Sequence, residues 1–116
     1  MSPHHPTLAA GRWRGFPLVE QLAHVGSEVE RALRWKSKGN DELSRRALER
    51  GLELLDLTIA DPKHLGRLRE MTRLREVLLD YFVGENCYSS SESAWHKYFH
   101  AFAVAANARR EVGPSA

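Results

Sequence analysis

Apolar residues recur at three- and four-residue steps along four stretches of this chain. Such spacing places them on one face of an α-helix, because successive helical residues turn by about 100°. In the first stretch, Leu18, Leu22 and Val25 share one face in this way. The pattern predicts helices over residues 17–38, 41–60, 62–83 and 91–112. We expect no β-strand, because no segment alternates apolar and polar residues.

The junctions between these stretches carry residues that end one helix and begin the next. Gly39 can take the left-handed conformation that ends a helix, and Asn40 can cap the helix that follows. At the next junction Asp61 can cap the following helix, and Pro62 can be its first residue. Short connections favour antiparallel neighbours. The predicted fold is all-α: an antiparallel up-down four-helix bundle with short connections, or three long helices closed by an aromatic fourth.

The length of 116 residues suits a single hydrophobic core. We expect a flexible N-terminal tail at residues 1–16, one helical domain at 17–112 and a C-terminal tail at 113–116. The absence of an 18-residue apolar run and of a signal-peptide pattern predicts a cytoplasmic protein with no membrane contact. Seventeen basic against 15 acidic residues leave a charge of +2, which permits nucleic-acid binding without requiring it.

Arg75 interrupts the apolar face of the third predicted helix, and Arg67 lies earlier on the same side. A buried guanidinium needs an acceptor such as a carboxylate. Asp56 and Glu53 of the second helix are the candidate partners. The alternatives are that Arg75 lies at a self-association seam or a phosphate-binding surface, or that its side chain is exposed.

Trp35 lies on the polar side of the first predicted helix. An exposed tryptophan often marks a contact surface. Alternatively, the N-terminal tail covers Trp35 through Trp13 and Phe16.

Two histidines, His96 and His100, are spaced four residues apart and share one stripe of the fourth predicted helix. Such a pair can bind zinc, but a site needs further ligands that the sequence does not supply at suitable spacing. We therefore treat the pair as weak candidates and predict no metal and no cofactor.

The run from Arg75 to Phe82 resembles the R-N-x-x-x-H-x-Y signature of HEPN domains. Arg75 matches the arginine of that signature, Asp80 its histidine, and Tyr81 or Phe82 its aromatic residue. The resemblance implies a small, often dimeric four-helix bundle, in a family that includes RNA-cleaving toxins and partners of nucleotidyltransferases. Glu76 replaces the asparagine and Asp80 the histidine, which implies degenerate or absent ribonuclease activity.

No complete catalytic constellation is evident in the sequence, which favours a non-catalytic role while leaving enzymatic activity open. The leading hypothesis is a protein-interaction or self-association module. The alternative is an RNA-binding or other nucleic-acid-binding HEPN-like bundle. The candidate interaction or anion-binding residues are Arg67, Arg75, Asp80, Tyr81 and Trp35.

Overall fold

Four long α-helices make up most of the described chain. The computed structural model of the protein describes residues 11–112, with side chains as far as residue 109. The helices are α1 (Leu18–Ser37), α2 (Asp41–Ile59), a 3-10 helix (Pro62–Arg67), α3 (Leu68–Phe82) and α4 (Glu92–Val112). The predicted all-α class is confirmed, and residues 11–112 contain no β-strand. The predicted tail segments 1–10 and 113–116 lie outside the described residues.

The third predicted helix is divided near its start. Residues 62–67 form the 3-10 helix, and His64 has non-helical dihedral angles (φ −101°, ψ 15°) that kink the chain before α3. Asp61 caps this segment, because its Oδ1 accepts the backbone N–H of Lys63 at 3.0 Å. The predicted role of Asn40 is confirmed, since its Oδ1 accepts the N–H of Leu43 at 3.1 Å.

The helix α1 lies between α2 and α4 and contacts both. At Gly26 the α1 backbone lies close to α4, because a Cβ atom there would lie 2.8 Å from the ring of Phe99, so only glycine fits there. The helix α3 lies against α2. Aromatic rings contribute to the contact between α3 and α4, with the centroids of Tyr81 and Trp95 6.3 Å apart. None of the helices within residues 11–112 combines the length and apolar character needed to cross a lipid bilayer.

The described part of the segment assigned to a tail, residues 11–16, packs onto the helices. Trp13 is 6% exposed and belongs to the main apolar core. Its indole Nε1 donates to Thr58 Oγ1 at 3.1 Å, and its carbonyl accepts from Gln21 Nε2 at 2.8 Å. Lys63 Nζ donates to the carbonyl oxygens of Arg14 and Phe16. The packed unit therefore includes residues before position 17.

The buried position of Trp13 predicts a large loss of stability in the variant Trp13→Ala. Removing a buried tryptophan costs about 3–5 kcal/mol of unfolding free energy. Trp35→Ala serves as the matched control, because Trp35 is half-buried and outside the core clusters. Urea unfolding followed by circular dichroism measures both. Equal losses in the two variants would contradict the assignment of Trp13 to the core.

Candidate interaction surface

Arg75 forms an ion pair with Asp56, one of its two predicted partners. The Arg75 Nε atom lies 2.7 Å from Asp56 Oδ1. The expected burial of Arg75 is wrong, because its side chain is 38% exposed and that of Asp56 53%. The buried stripe of α3 consists of Met71, Leu74 and Leu78, and Arg75 lies at the edge of this stripe facing α2. The pair therefore links α2 to α3 at the surface.

Arg67 is exposed and does not share a site with Arg75. Its guanidinium contacts Glu70 Oε2 through both Nε, at 2.8 Å, and Nη2, at 2.7 Å. Each of the two arginines predicted as anion-binding residues therefore already has a carboxylate partner. Such pairing reduces the availability of both guanidinium groups for a phosphate.

Asp80 organises the loop between α3 and α4. Its Oδ1 accepts the N–H of Cys87 at 2.8 Å, and its Oδ2 accepts the N–H of Tyr88 at 3.0 Å. Tyr81, the next residue, lies under the ammonium group of Lys36, with Nζ 4.3 Å from the ring centroid. Asp80 thus contacts the loop between α3 and α4, whereas Arg75 contacts Asp56 of α2.

Trp35 is half-buried, with Lys38 Nζ 5.3 Å from the centroid of its ring. The expectation that Trp13 and Phe16 cover it is wrong. These two rings instead pack on His24, with centroid distances of 5.6 and 5.7 Å. Trp35 stays a candidate contact residue.

His96 links α4 to α1 through an ion pair between its Nδ1 and Glu30, and its Nε2 lies 3.5 Å from Glu92 Oε1. The bond to Glu30 raises the pKa of His96 above its ordinary value. His96 and His100 line an open groove of about 530 Å³ between α1 and α4. Among the described residues, no group of three or more His, Cys, Asp or Glu side chains is placed to hold a metal ion.

An apolar face extends over the seam between α3 and α4. It includes a cleft of about 260 Å³ whose walls are Leu74 and Val77 of α3 and Trp95 and Tyr98 of α4, with Glu70 and Arg73 also lining it. On α4 the face continues through residues spaced i, i+3, i+4 and i+7 from Tyr98, which share one side of a helix. These residues are Ala101, Phe102 and Ala105. We call this set of residues the α3–α4 face.

The α3–α4 face is partly accessible to solvent, although Leu74 and Trp95 within it are buried. Val77, Tyr98 and Phe102 are half-buried, while Ala101 and Ala105 are exposed. Trp95 within this face is buried, and the adjoining side of α4 supplies Phe99 and Ala106 to the buried interior. The spacing of apolar residues in α4 does not by itself predict this face, because Trp95, Tyr98 and Phe102 also fit a single buried side of a helix. The alanines between the aromatic residues were the available signal, since a helix that is apolar on several sides is usually covered on several sides.

Comparisons with family models, curated proteins and solved structures find no significant match to this chain.

The Arg75–Asp56 pair predicts a small coupling energy in a double-mutant cycle. Exposed ion pairs contribute up to about 1 kcal/mol, whereas breaking a buried pair costs about 3–5 kcal/mol. The variants Arg75→Ala, Asp56→Ala and their combination, compared by urea unfolding, give the coupling. The exposed pair Glu42–Arg46, with a 2.8 Å contact, is the control cycle and should give a similar value. A coupling of several kcal/mol would contradict the exposed geometry.

Two histidines predict opposite effects of pH on the free energy of unfolding. His64 is buried and contacts Gln21, and burial lowers its pKa below 6.5. The unfolded chain therefore takes up more protons at this site, and the contribution of His64 is lost as the pH falls below about 6.5. The raised pKa of His96 has the reverse effect: its stabilisation is complete below about 6.5 and is lost as the pH rises through the folded-state pKa.

Urea unfolding between about pH 5 and pH 8 tests both assignments. His64→Gln should flatten the loss of stability on the acid side. His96→Gln should be less stable than the parent at acidic pH, and the difference should shrink as the pH rises. An unchanged pH profile in both variants would rule out these roles.

Proposed function

We propose that this chain is a non-catalytic helical module that associates with another protein chain through the α3–α4 face. The observation that carries the proposal is the partly exposed apolar surface that this face forms across α3 and α4. Burial of apolar area is the dominant favourable contribution to most protein association. A face made from two helices also suits docking of a further helix, a common mode of recognition.

The pairing of the polar candidate residues supports a non-catalytic role. Arg67 and Arg75 are bound by Glu70 and Asp56, and Asp80 accepts two backbone N–H groups. A catalytic group must reach a reacting atom and present a free proton site or lone pair to it. These residues stabilise the helices and the loop of their own chain instead.

The proposal takes the four long helices as an antiparallel up-down bundle in a cytoplasmic protein. The contacts of α1 with α2 and α4, and of α2 with α3, support this arrangement. HEPN-like RNA binding is the alternative proposal. It is less favoured here, because Arg67 and Arg75 each have a carboxylate partner.

Sedimentation equilibrium over a range of protein concentrations tests the proposal. We expect the parent chain to self-associate and Val77→Glu to weaken association by more than about 2 kcal/mol, because the variant places a charge in an apolar interface. Val83→Glu is the matched control at the end of the same helix, where Val83 is 71% exposed and outside the α3–α4 face. Circular dichroism confirms that both variants are folded.

Three outcomes separate the candidate functions. Loss of association in Val77→Glu alone supports the α3–α4 face. Equal association in both variants contradicts it. A parent chain that stays monomeric and binds single-stranded RNA in a salt-dependent manner would replace the interaction module by the nucleic-acid alternative.

A further inference from the structure

We propose that the partner at the α3–α4 face is a second copy of this chain, related by a two-fold axis, with the two α3 helices antiparallel. This inference rests on the proposed function and names its partner. In this arrangement Glu70 of each copy pairs with Arg73 of the other. Each α3 then lies over the cleft of its partner, so that one set of residues provides both sides of the interface.

The charges lining the cleft favour an identical partner. Glu70 and Arg73 have opposite signs and are three residues apart on α3. When two such helices run antiparallel, the register that puts Glu70 opposite the partner's Arg73 also puts Arg73 opposite the partner's Glu70. A two-fold dimer therefore contains this ion pair twice. A parallel pairing in equal register places like charges together instead, and like charges across an interface oppose binding.

Both groups retain unused bonding capacity within the described chain. The two contacts of Arg67 with Glu70 go to Oε2, and the described contacts leave Oε1 available. Arg73 forms no ion pair within residues 11–109, and its guanidinium lies 5.3 Å from the centroid of the Tyr88 ring. A cation above an aromatic ring loses freedom without losing its N–H donors. Arg73 is thus held near the cleft with donors for a carboxylate.

Charge reversal at these two positions tests the dimer. In Glu70→Arg each copy presents arginine at both positions, and in Arg73→Glu each presents glutamate at both. We expect each variant alone to have a dissociation constant raised at least about a hundredfold, because two like-charge contacts form per dimer. A 1:1 mixture of the variants restores both attractive pairs, so it should form a heterodimer of near-parental affinity.

Matched reversals on α2 control for general charge effects. Glu42→Arg and Arg46→Glu alter an exposed acid–base pair on α2 instead of α3, away from the cleft, and should leave dimerisation unchanged. Sedimentation velocity measures all variants and mixtures, and circular dichroism establishes folding. The double variant Glu70→Arg/Arg73→Glu keeps the test valid if a single variant is poorly folded, because it should dimerise with itself.

The outcomes separate this inference from the proposed function. Weakened single variants with rescue in the mixture support the antiparallel pairing. Dimers that persist in both single variants, or weakened variants without rescue, overturn the pairing while leaving self-association in place. A parent chain that is monomeric at every concentration overturns the second copy as partner without overturning association of the α3–α4 face with a different protein chain.

Discussion

The burial of α1 between α2 and α4 is the packing constraint on which the rest of the molecule depends. A single apolar stripe can serve two neighbours only when it is wide, and α1 buries residues from Leu22 to Leu33 against both. Gly26 brings α4 close enough for Phe99 to rest on the α1 backbone. Contacts with α1 therefore determine the position of α4, and the side of α4 that faces away from α1 is less completely buried.

The position of α3 follows from this constraint. It is attached to α2 by packing and by the Arg75–Asp56 pair, while aromatic rings such as Tyr81 and Trp95 bridge it to α4. Bulky rings at a helix seam hold the helices apart along the rest of their length, since interhelical distance depends on the side chains at the contact. The open cleft beside Trp95 and Tyr98 is the consequence. The indole Nε1 of Trp95 is buried at this seam with no hydrogen-bond partner among the described residues.

Local signals predict the helices well and their mutual placement poorly. Asn40 and Asp61 act locally, so the starts of the segments that they cap follow from the sequence, whereas the kink at His64 does not. The sequence does not predict the burial of Trp13, because a single tryptophan between two glycines has no period, and its burial follows from tertiary contacts with Thr58, Gln21 and the apolar core. The helical position of Arg75 indicated the direction toward α2 and hence Asp56. It did not indicate exposure, because a helical wheel does not specify where the neighbouring helix ends.

The contacts of Glu76 and Asp80 influence Arg73, a residue of the proposed dimer interface. Asp80 fixes the N–H groups of Cys87 and Tyr88, and the hydroxyl of Tyr88 donates to Glu76 at 2.9 Å. These bonds hold the Tyr88 ring beside α3, where it lies against the guanidinium of Arg73. A side chain that is restricted before binding loses less entropy when its partner arrives. Glu76 and Asp80 therefore hold Tyr88 in place, and Tyr88 in turn orients Arg73, which is proposed to meet the partner's Glu70.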